Sequence, residues 1–254
     1  MQIAAIYDIH GNVRALEATL AEIDELDPDL VVVGGDLASG PMPGETLDRL
    51  MALGQRAQFI RGNSDREVVA YYDGRPAPGQ DDNPFAPVLA WTAQRITRAQ
   101  RDFLANLPEQ TVVEAESLGQ VLFCHGSPRS DEEIVTSATP EHRMRDMLHG
   151  VAQDVIVCGH THMQFERHVH GKRVINAGSV GMPYEGEPGA YWLLLGPTVT
   201  FKRTLYDVQS TAQQIRASGF PGADEFAQEN ILNSPSASDA TAFFEQTAAR
   251  NSSS

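Results

Sequence analysis

The sequence predicts an α/β protein in which helices separate and cover the strands of a sheet. Five short apolar runs recur in the first 160 residues, each four or five residues long and rich in β-branched or aromatic side chains. Runs of this length and composition are typical of buried strands. Amphipathic stretches lie between them, and such alternation favours the α/β class. The runs cover residues 3–7, 30–33, 57–60, 121–124 and 155–158.

The helices follow from the spacing of apolar residues. Between the first two runs, apolar side chains recur at intervals of three, four and three from Val13 to Ile23, which places them on one helical face. A second helix is predicted after Glu45, and others at 64–71, 87–106, 140–149 and 208–217. After residue 164, four segments with tight glycine turns look like consecutive strands and predict an antiparallel portion. These segments are 165–169, 173–176, 191–195 and 199–205.

Residues 1–218 are predicted to form one domain, because a chain of 254 residues lies in the single-domain range. Residues 219–254 are small, polar and acidic, which predicts a weakly ordered tail with one short helix at 240–249. Residues 73–87 contain four prolines and two glycines in fifteen positions. Such a stretch is too long and too broken for a plain connection, so we expect a mobile loop or a lid there.

Charge and composition exclude several classes of function. The 19 Lys and Arg against 34 Asp and Glu give a net charge of −15, which repels polyanions, so no extended nucleic-acid surface is expected. No apolar run approaches the ~20 residues of a membrane span, and the N-terminal run has no basic flank of the kind a signal peptide carries. The two cysteines each end an apolar run, as buried thiols do. We therefore expect a cytoplasmic protein without a membrane partner, and leave open whether it forms a homo-oligomer.

Each of the five apolar runs ends at residues of the kinds that bind metal ions. Ligands of open α/β sheets bind beyond the carboxyl ends of the strands, so we expect these side chains to meet at one rim. Seven nitrogen and oxygen ligands exceed the needs of one ion and suit two ions that share a carboxylate. The absence of thiolates favours Mn²⁺, Fe, Zn²⁺ or similar ions. The seven residues are Asp8, His10, Asp36, Asn63, His125, His160 and His162.

The charge of such a centre favours an anionic substrate. Two divalent ions, the carboxylates of Asp8 and Asp36 and a bridging hydroxide sum to about +1, which attracts a phosphate oxygen although the whole protein is acidic. Two metals ~3.5–4 Å apart also supply hydroxide at neutral pH and stabilise the attacking and the leaving oxygen. Hydrolysis of a phosphate ester is the chemistry that this pattern predicts.

The remaining four histidines provide a contrast within the chain. A single Asp or His after a strand is usually a turn residue or a helix cap, so only the joint pattern predicts a site. His168 and His170 have the same spacing as His160 and His162, but they follow no buried run and no glycine. We expect them on a solvent face. His142 and His149 lie on the polar side of the predicted helix 140–149 and are also expected at the surface.

The ligand clusters resemble, in order, the motif series of the calcineurin-like metallophosphoesterase superfamily. That series runs Asp-x-His, Gly-Asp, Gly-Asn-His-Asp/Glu, a lone His and Gly-His-x-His. The resemblance spans about residues 1–205. In this chain the motifs read Asp8-Ile-His10, Gly35-Asp36, Gly62-Asn63-Ser64-Asp65, His125 and Gly159-His160-Thr-His162. Two further stretches are similar to the small prokaryotic phosphodiesterase branch, namely the one from Asn176 to Pro183 and Gly40-Pro41 with Pro43 and Glu45.

The resemblance implies a four-layer αββα sandwich, two mixed sheets flanked by helices, with a dinuclear site at the carboxyl ends of the strands. It implies two divalent ions per chain, of which Mn²⁺ is expected and Fe, Zn²⁺, Ni²⁺ or Mg²⁺ are alternatives. Asp36 would bridge the ions, and a metal-bridging hydroxide would attack phosphorus, with Asp36, Asn63 and His125 as the catalytic residues. One ion would be held by Asp8, His10, Asp36 and His162, and the other by Asp36, Asn63, His125 and His160.

One position departs from the motif series. Ser64 stands where many members carry a histidine, and a serine hydroxyl has no useful proton-donating pKa near 7. The small prokaryotic branch often lacks this histidine too, so the change is compatible with activity. The missing proton donor disfavours alkoxide leaving groups and favours activated or strained esters such as cyclic phosphodiesters. Asn12, Ser64 and Asp65 are candidate substrate contacts, and Asn12 has the alternative role of capping the following helix.

We therefore predict a metal-dependent phosphoesterase that hydrolyses small phosphodiesters, cyclic or nucleotide-derived. The first alternative is a phosphomonoesterase or nucleotidase that uses the same site. A less favoured alternative is a non-catalytic metal-binding interaction scaffold, since all seven ligand positions are intact. Protein phosphatases and symmetrical dinucleotide hydrolases of this superfamily usually carry Gly-Asp-x-Val-Asp-Arg-Gly, which is absent after Asp36.

Overall fold

The computed structural model describes residues 1–76, 83–115 and 117–251. Its strands are β1 (Ile3–Ile6), β2 (Leu30–Val33), β3 (Ala57–Phe59), β4 (Gln110–Ala115), β5 (Gly119–Cys124), β6 (Val155–Cys158), β7 (Gln164–Val169), β8 (Lys172–Ala177), β9 (Ala190–Leu195) and β10 (Val199–Thr204). Its α-helices are α1 (Val13–Leu26), α2 (Pro43–Met51), α3 (Asn63–Tyr72), α4 (Ala86–Ala93), α5 (Arg98–Ala105), α6 (Glu141–Met147), α7 (Val208–Ala217), α8 (Ala223–Phe226) and α9 (Ala237–Asn251).

The strands form two five-stranded mixed sheets. The first has the order β10-β9-β1-β2-β3, in which β1, β2 and β3 are parallel and β9 and β10 are antiparallel to their neighbours. The second has the order β4-β5-β6-β8-β7, in which β5, β6 and β8 are parallel and the two edge strands are antiparallel. Each sheet thus contributes three adjacent parallel strands, at one side of the first sheet and in the centre of the second, whose carboxyl ends point to one rim.

Alternate side chains of β1 show why the fold has four layers. Ala4 and Ile6 pack with apolar residues of α1, α2, α3, α4 and α5 on the outer face of the first sheet. Ile3 and Ala5 point the other way and pack with β5, β6 and β8 of the second sheet. The outer face of the second sheet packs against Met144 of α6 and its neighbours. The predicted αββα sandwich is therefore confirmed.

Before residue 218, the structure differs from the predicted elements at β4 and at the predicted helix 87–106. Strand β4 has no counterpart in the prediction, because at this sheet edge only Val113 and Ala115 are buried and no apolar run marks the strand. The predicted helix 87–106 is two helices, α4 and α5. The second begins at Thr97, whose side chain accepts a hydrogen bond from the backbone N–H of Gln100. Within the predicted loop 73–87, residues 77–82 lie outside the described residues.

The segment after residue 218, predicted to be a weakly ordered tail, contains more helix and more contacts than its composition indicates. A π-helical turn at Ala227–Leu232 follows α8, and it buries Ala227 and Ile231 against α7. Helix α9 is longer than the short helix expected at 240–249. Residues distant in sequence hold this helix in place, since the Glu245 carboxylate accepts hydrogen bonds from Thr136 and Thr139. Such contacts cannot be predicted from local composition. The division of the chain at residue 218 stays a prediction.

No helix in the described part of the chain has the length and apolar character that crossing a membrane requires.

Candidate metal centre

The seven predicted ligands follow five parallel strands. Asp8 and His10 come after β1, Asp36 comes after β2, and Asn63 begins α3 just after β3. In the second sheet, His125 follows β5 directly, and His160 and His162 come after β6. Because the two sheets pack face to face, their carboxyl ends meet, and the structure brings six of these residues into two groups of potential ligands.

The first group consists of Asp8, His10 and His162, all of which are buried. One ligand atom from each lies within 4.8 Å of the others. The Nε2 atoms of His10 and His162 are 3.1 Å apart, and Nε2 of His162 is 3.4 Å from Oδ1 of Asp8. Two imidazole nitrogens and a carboxylate oxygen thus converge on one point, as ligands of a single cation do.

The second group consists of Asp36, His125 and His160, again with ligand atoms within 4.8 Å of one another. Oδ2 of Asp36 is 3.5 Å from Nε2 of His125 and 3.7 Å from Nε2 of His10, a member of the first group. Oδ1 of Asp8 is likewise 3.8 Å from Nε2 of His125. Carboxylate oxygens therefore lie between the two groups, which is the arrangement that a shared ligand requires.

Unpartnered buried atoms show that these groups fit divalent cations. Four of the predicted ligands have a buried nitrogen or oxygen without a hydrogen-bond partner. Such atoms are rare in folded proteins, since each costs about 1–3 kcal/mol when left unsatisfied. Mixed imidazole, carboxylate and amide donors suit Mn²⁺, Fe or Zn²⁺. The atoms are Oδ1 of Asp8, Oδ1 of Asn63, Nε2 of His125 and Nδ1 of His160.

Backbone carbonyls orient three of the histidines. Nδ1 of His10 lies 3.2 Å from the carbonyl oxygen of Ser39. Nδ1 of His125 lies 2.9 Å from the carbonyl oxygen of Gly34, and Nδ1 of His162 lies 2.7 Å from that of Met182. A carbonyl oxygen only accepts hydrogen bonds, so Nδ1 donates and the lone pair is on Nε2. Each ring is therefore held in the tautomer that presents Nε2 to a cation.

The backbone at the ligands is strained. Among the described residues, seven other than glycine have positive φ, and five of these are predicted ligands. Such conformations cost about 1–3 kcal/mol each and persist only where the surroundings impose them. The five are Asp8, His10, Asp36, His160 and His162, with φ between 46° and 66°. Close packing contributes, because a Cβ on Gly62 would lie 2.1 Å from Oδ1 of Asp36.

Asp65 supports the turn that carries Asp36. Its carboxylate is fully buried and accepts hydrogen bonds from the backbone N–H groups of Asp36, Leu37 and Gly62, at 2.8–3.0 Å. Both oxygens are therefore used within the protein. The predicted substrate contact of Asp65 stays a prediction that this geometry does not favour.

Asn12 and Ser64, the other predicted substrate contacts, lie in different surroundings. Asn12 is fully buried, caps α1 by accepting a hydrogen bond from Ala15, and donates to the carbonyl oxygen of Gly181. These contacts favour the capping role that was the alternative for Asn12. Ser64 donates its backbone N–H to Oδ1 of Asp36, and its buried hydroxyl has no partner. Of the three residues, Ser64 is the one with a side-chain donor left free.

The electrostatics of the second group favour a bound cation. Burial alone would lower the pKa of His125, but the Asp36 carboxylate raises that pKa to about 10. Burial and the positive charge of His125 lower the pKa of His160 to about 4. The carboxylates thus hold a positive charge at His125. A ligating imidazole must be neutral, so an ion that binds here displaces the proton and takes over its charge.

The other histidines lie at the surface, as predicted from their positions. His168 pairs with Glu166 at 3.0 Å and His170 lies 3.5 Å from Glu141, and both histidines are exposed. His142 and His149 are exposed on and beside α6.

Two supporting features were not predicted from the sequence. The stretch from Asn176 to Pro183 holds the loop after β1, because Ser179 Oγ and the backbone N–H of Gly181 both donate to the carbonyl oxygen of Asp8. Tyr184 follows this stretch and stacks on His162. Burial and the Asp8 carboxylate raise the pKa of Tyr184 well above its ordinary value, so its phenol keeps its proton. The one sequence signal that could have pointed to Tyr184 is its position directly after the stretch from Asn176 to Pro183, which resembles the small prokaryotic branch.

The fold and the paired ligand groups define a class of metal-dependent phosphoesterase. Comparison with protein families agrees, since residues 1–195 match the model of the calcineurin-like phosphoesterase superfamily domain. The chain therefore belongs to the calcineurin-like phosphoesterase superfamily, whose members depend on metal ions.

Individual relatives agree with this assignment. The chain is 26% identical to the uncharacterized protein MJ0912 of Methanocaldococcus jannaschii over 239 residues, which cover 86% of this chain and 93% of that protein. A metallophosphoesterase from Sphaerobacter thermophilus superimposes with a TM-score of 0.71 at 26% identity, covering 88% of this chain and 96% of that one. A shorter match reaches 37% identity over 84 residues with the symmetrical bis(5'-nucleosyl)-tetraphosphatase of Janthinobacterium, covering 32% of this chain and 31% of that enzyme.

Proposed function

We propose that the protein is a metal-dependent phosphodiesterase that hydrolyses small phosphate diesters. The observation that carries the proposal is the pair of ligand groups with carboxylate oxygens between them and unpartnered nitrogen and oxygen atoms around them. Two adjacent divalent ions bound there would make hydroxide available at neutral pH and stabilise both oxygens of an in-line displacement.

The chain's own residues would divide the two ions as follows. Asp8, His10 and His162 belong to one ion, and Asn63, His125 and His160 belong to the other, with Asp36 shared between them. Mn²⁺ is the ion we propose, because imidazole, carboxylate and amide ligands without thiolate suit it. The buried carbonyl contacts at Nδ1 of three histidines support this assignment, because they hold the rings in place before an ion arrives.

Ser64 supports a diester over a monoester substrate with a poor leaving group. Its hydroxyl can donate a hydrogen bond, but it cannot protonate a departing alkoxide near neutral pH. Esters that leave readily, such as aryl or cyclic diesters, do not need that proton. The local match to a bis(5'-nucleosyl)-tetraphosphatase supports a nucleotide-derived member of this class. We place the reaction in the cytoplasm, with the small ester as the protein's partner.

The first experiment compares two substrates on the same protein. Chelator-stripped protein is assayed with bis-p-nitrophenyl phosphate and with p-nitrophenyl phosphate, with and without added Mn²⁺. We expect Mn²⁺-dependent turnover of the diester that His125→Ala abolishes and His168→Ala leaves unchanged, since His168 is 73% exposed and outside both groups.

Three results would contradict parts of this proposal. Faster turnover of the monoester would favour the phosphomonoesterase or nucleotidase alternative. No turnover of either ester by protein that binds two ions would exclude both as substrates. Protein that binds no divalent ion would refute a metal-dependent function.

A further inference from the structure

Tyr184 lies beside the first ligand group in a defined orientation. Its ring stacks on His162, with centroids 4.8 Å apart and planes inclined by 27°. Its backbone N–H donates to the carbonyl oxygen of His162 over 3.1 Å. The Asp8 carboxylate is near enough to act electrostatically on the phenol. The stack and the backbone contact therefore hold the phenol next to a predicted metal ligand.

The side chain of Tyr184 is half-buried, and its hydroxyl makes no hydrogen bond with any of the described residues (1–76, 83–115 and 117–251). Other tyrosine hydroxyls are used by the protein. Tyr7 donates to the carbonyl oxygen of Val157, and Tyr191 donates to that of Glu187. The Tyr184 hydroxyl is thus a free donor at the rim where the substrate would bind.

The arginines nearest in sequence to the ligands are engaged elsewhere. A terminal nitrogen of Arg61 pairs with Glu109 at 2.5 Å while its Nε is buried without a hydrogen-bond partner, and Arg66 pairs with Asp131 at 3.1 Å and also with Glu132. Neutral donors would therefore supplement the ions in holding the oxygens of a bound phosphate ester. Ser64 provides one hydroxyl next to the second ligand group, and Tyr184 provides the other next to the first.

We propose that Tyr184 donates a hydrogen bond from its hydroxyl to a phosphoryl oxygen of the bound ester. This inference rests on the proposed phosphodiesterase function and adds a substrate-binding residue to it. No proton is transferred in this step, because the hydroxyl keeps its hydrogen and only shares it with the phosphoryl oxygen.

Helix α9 holds Tyr184 in this position. The ring of Phe244 lies 6.2 Å from that of Tyr184, and Thr241 of the same helix donates to the sulfur of Met163 at 3.3 Å. Glu245 fixes the helix to Thr136 and Thr139 on the loop after β5. The family model ends at residue 195, so α9 lies outside the matched region and yet reaches the site through Tyr184.

The test uses Tyr184→Phe, which keeps the ring and removes only the hydroxyl. Binding of inorganic phosphate to the Mn²⁺-loaded protein is measured by calorimetry, and kcat and KM are measured with bis-p-nitrophenyl phosphate. A hydrogen bond to a charged oxygen predicts roughly tenfold to hundredfold weaker phosphate binding and a similar loss of kcat/KM. Metal content and thermal midpoint should not change. Tyr191→Phe, whose hydroxyl bonds to Glu187 away from the ligands, is the matched control and should change neither parameter.

Two results would overturn the inference. Equal phosphate affinity and equal kcat/KM in Tyr184→Phe would show that the hydroxyl does not touch the ester. Loss of bound metal in that variant would show that the residue supports His162 and not the substrate. Phosphate binding that depends on Tyr184 in a protein without esterase activity would support the inference and refute only the proposed function.

Discussion

The chain contains two His-x-His pairs with identical spacing in opposite environments. His160 and His162 follow β6, have positive φ, and join the two ligand groups. His168 and His170 lie on and just after β7, are exposed, and face Glu166 and Glu141. The pairs differ in what precedes them, because a buried parallel strand and a glycine lead into the first pair only. The same spacing therefore occurs in two environments, and only the pair at the end of a buried strand lies among the candidate ligands.

The largest effect on the buried ligand groups, to which only the first histidine pair belongs, is expected from Asp36→Asn. Oδ2 of Asp36 lies near one histidine of each group, so removing its charge should weaken both ions together. We expect a loss of activity of about a thousandfold or more and reduced metal content, measured by turnover and by elemental analysis.

The matched control for this change is Asp154→Asn, since the side chain of Asp154 is 85% exposed and Asp154 precedes β6, at the opposite end of that strand from His160. Near-normal turnover in Asp36→Asn would contradict the shared-carboxylate assignment.

The comparison is made most directly by substituting one residue of each pair. His162→Ala removes Nε2 from the first group and should leave about one ion per chain bound, with activity lost. His170→Ala removes an exposed side chain and should leave metal content and activity unchanged. Isothermal titration of chelator-stripped protein with Mn²⁺ counts the sites. Equal loss of metal in the two variants would show that the environment of the pair is irrelevant.

A smaller effect is expected for two adjacent phenylalanines of α9. Phe244 contacts Tyr184, which stacks on His162, whereas Phe243 is 64% exposed. Phe244→Ala should lower kcat/KM several-fold, because Tyr184 loses a packing contact with a partly buried side chain. Phe243→Ala should leave kcat/KM unchanged. Steady-state kinetics of both variants measure this difference. Equal kcat/KM values in the two variants would show that α9 does not influence the site.

The fold class was predictable because its signals are local. Four- and five-residue apolar runs mark buried parallel strands wherever they occur, and the structure confirms the αββα arrangement. Strand β4 was not predictable in this way, since it lies at a sheet edge and buries only alternate side chains. The contacts of residues 219–251 were also not predictable, because a polar composition does not show that Glu245 meets Thr136 and Thr139 about a hundred residues away.

In the candidate site, too, some features were predictable from the sequence and others were not. Asp8, His10, Asp36, His125, His160 and His162 were predicted from their positions after strands, and the structure brings them together, while their roles as ligands stay predictions to be tested. Asp65 was a candidate substrate contact, and Asn12 was a candidate for a substrate contact or for the cap of α1. Asp65 accepts hydrogen bonds from backbone N–H groups, and Asn12 caps α1 and donates to the Gly181 carbonyl oxygen, which only the folded arrangement reveals.

The sequence by itself determined the buried parallel strands, the candidate ligands that follow them and the family, because each depends on neighbours a few positions away. The tertiary structure decided how two sheets meet so that Asp36 and Asp8 lie between histidines of both groups. It also decided that Tyr184 stacks on His162 under a C-terminal helix. Contacts at the site join residues as many as 152 positions apart, as in the pair His10 and His162, and their distances follow from the packing of whole layers, which no local pattern encodes.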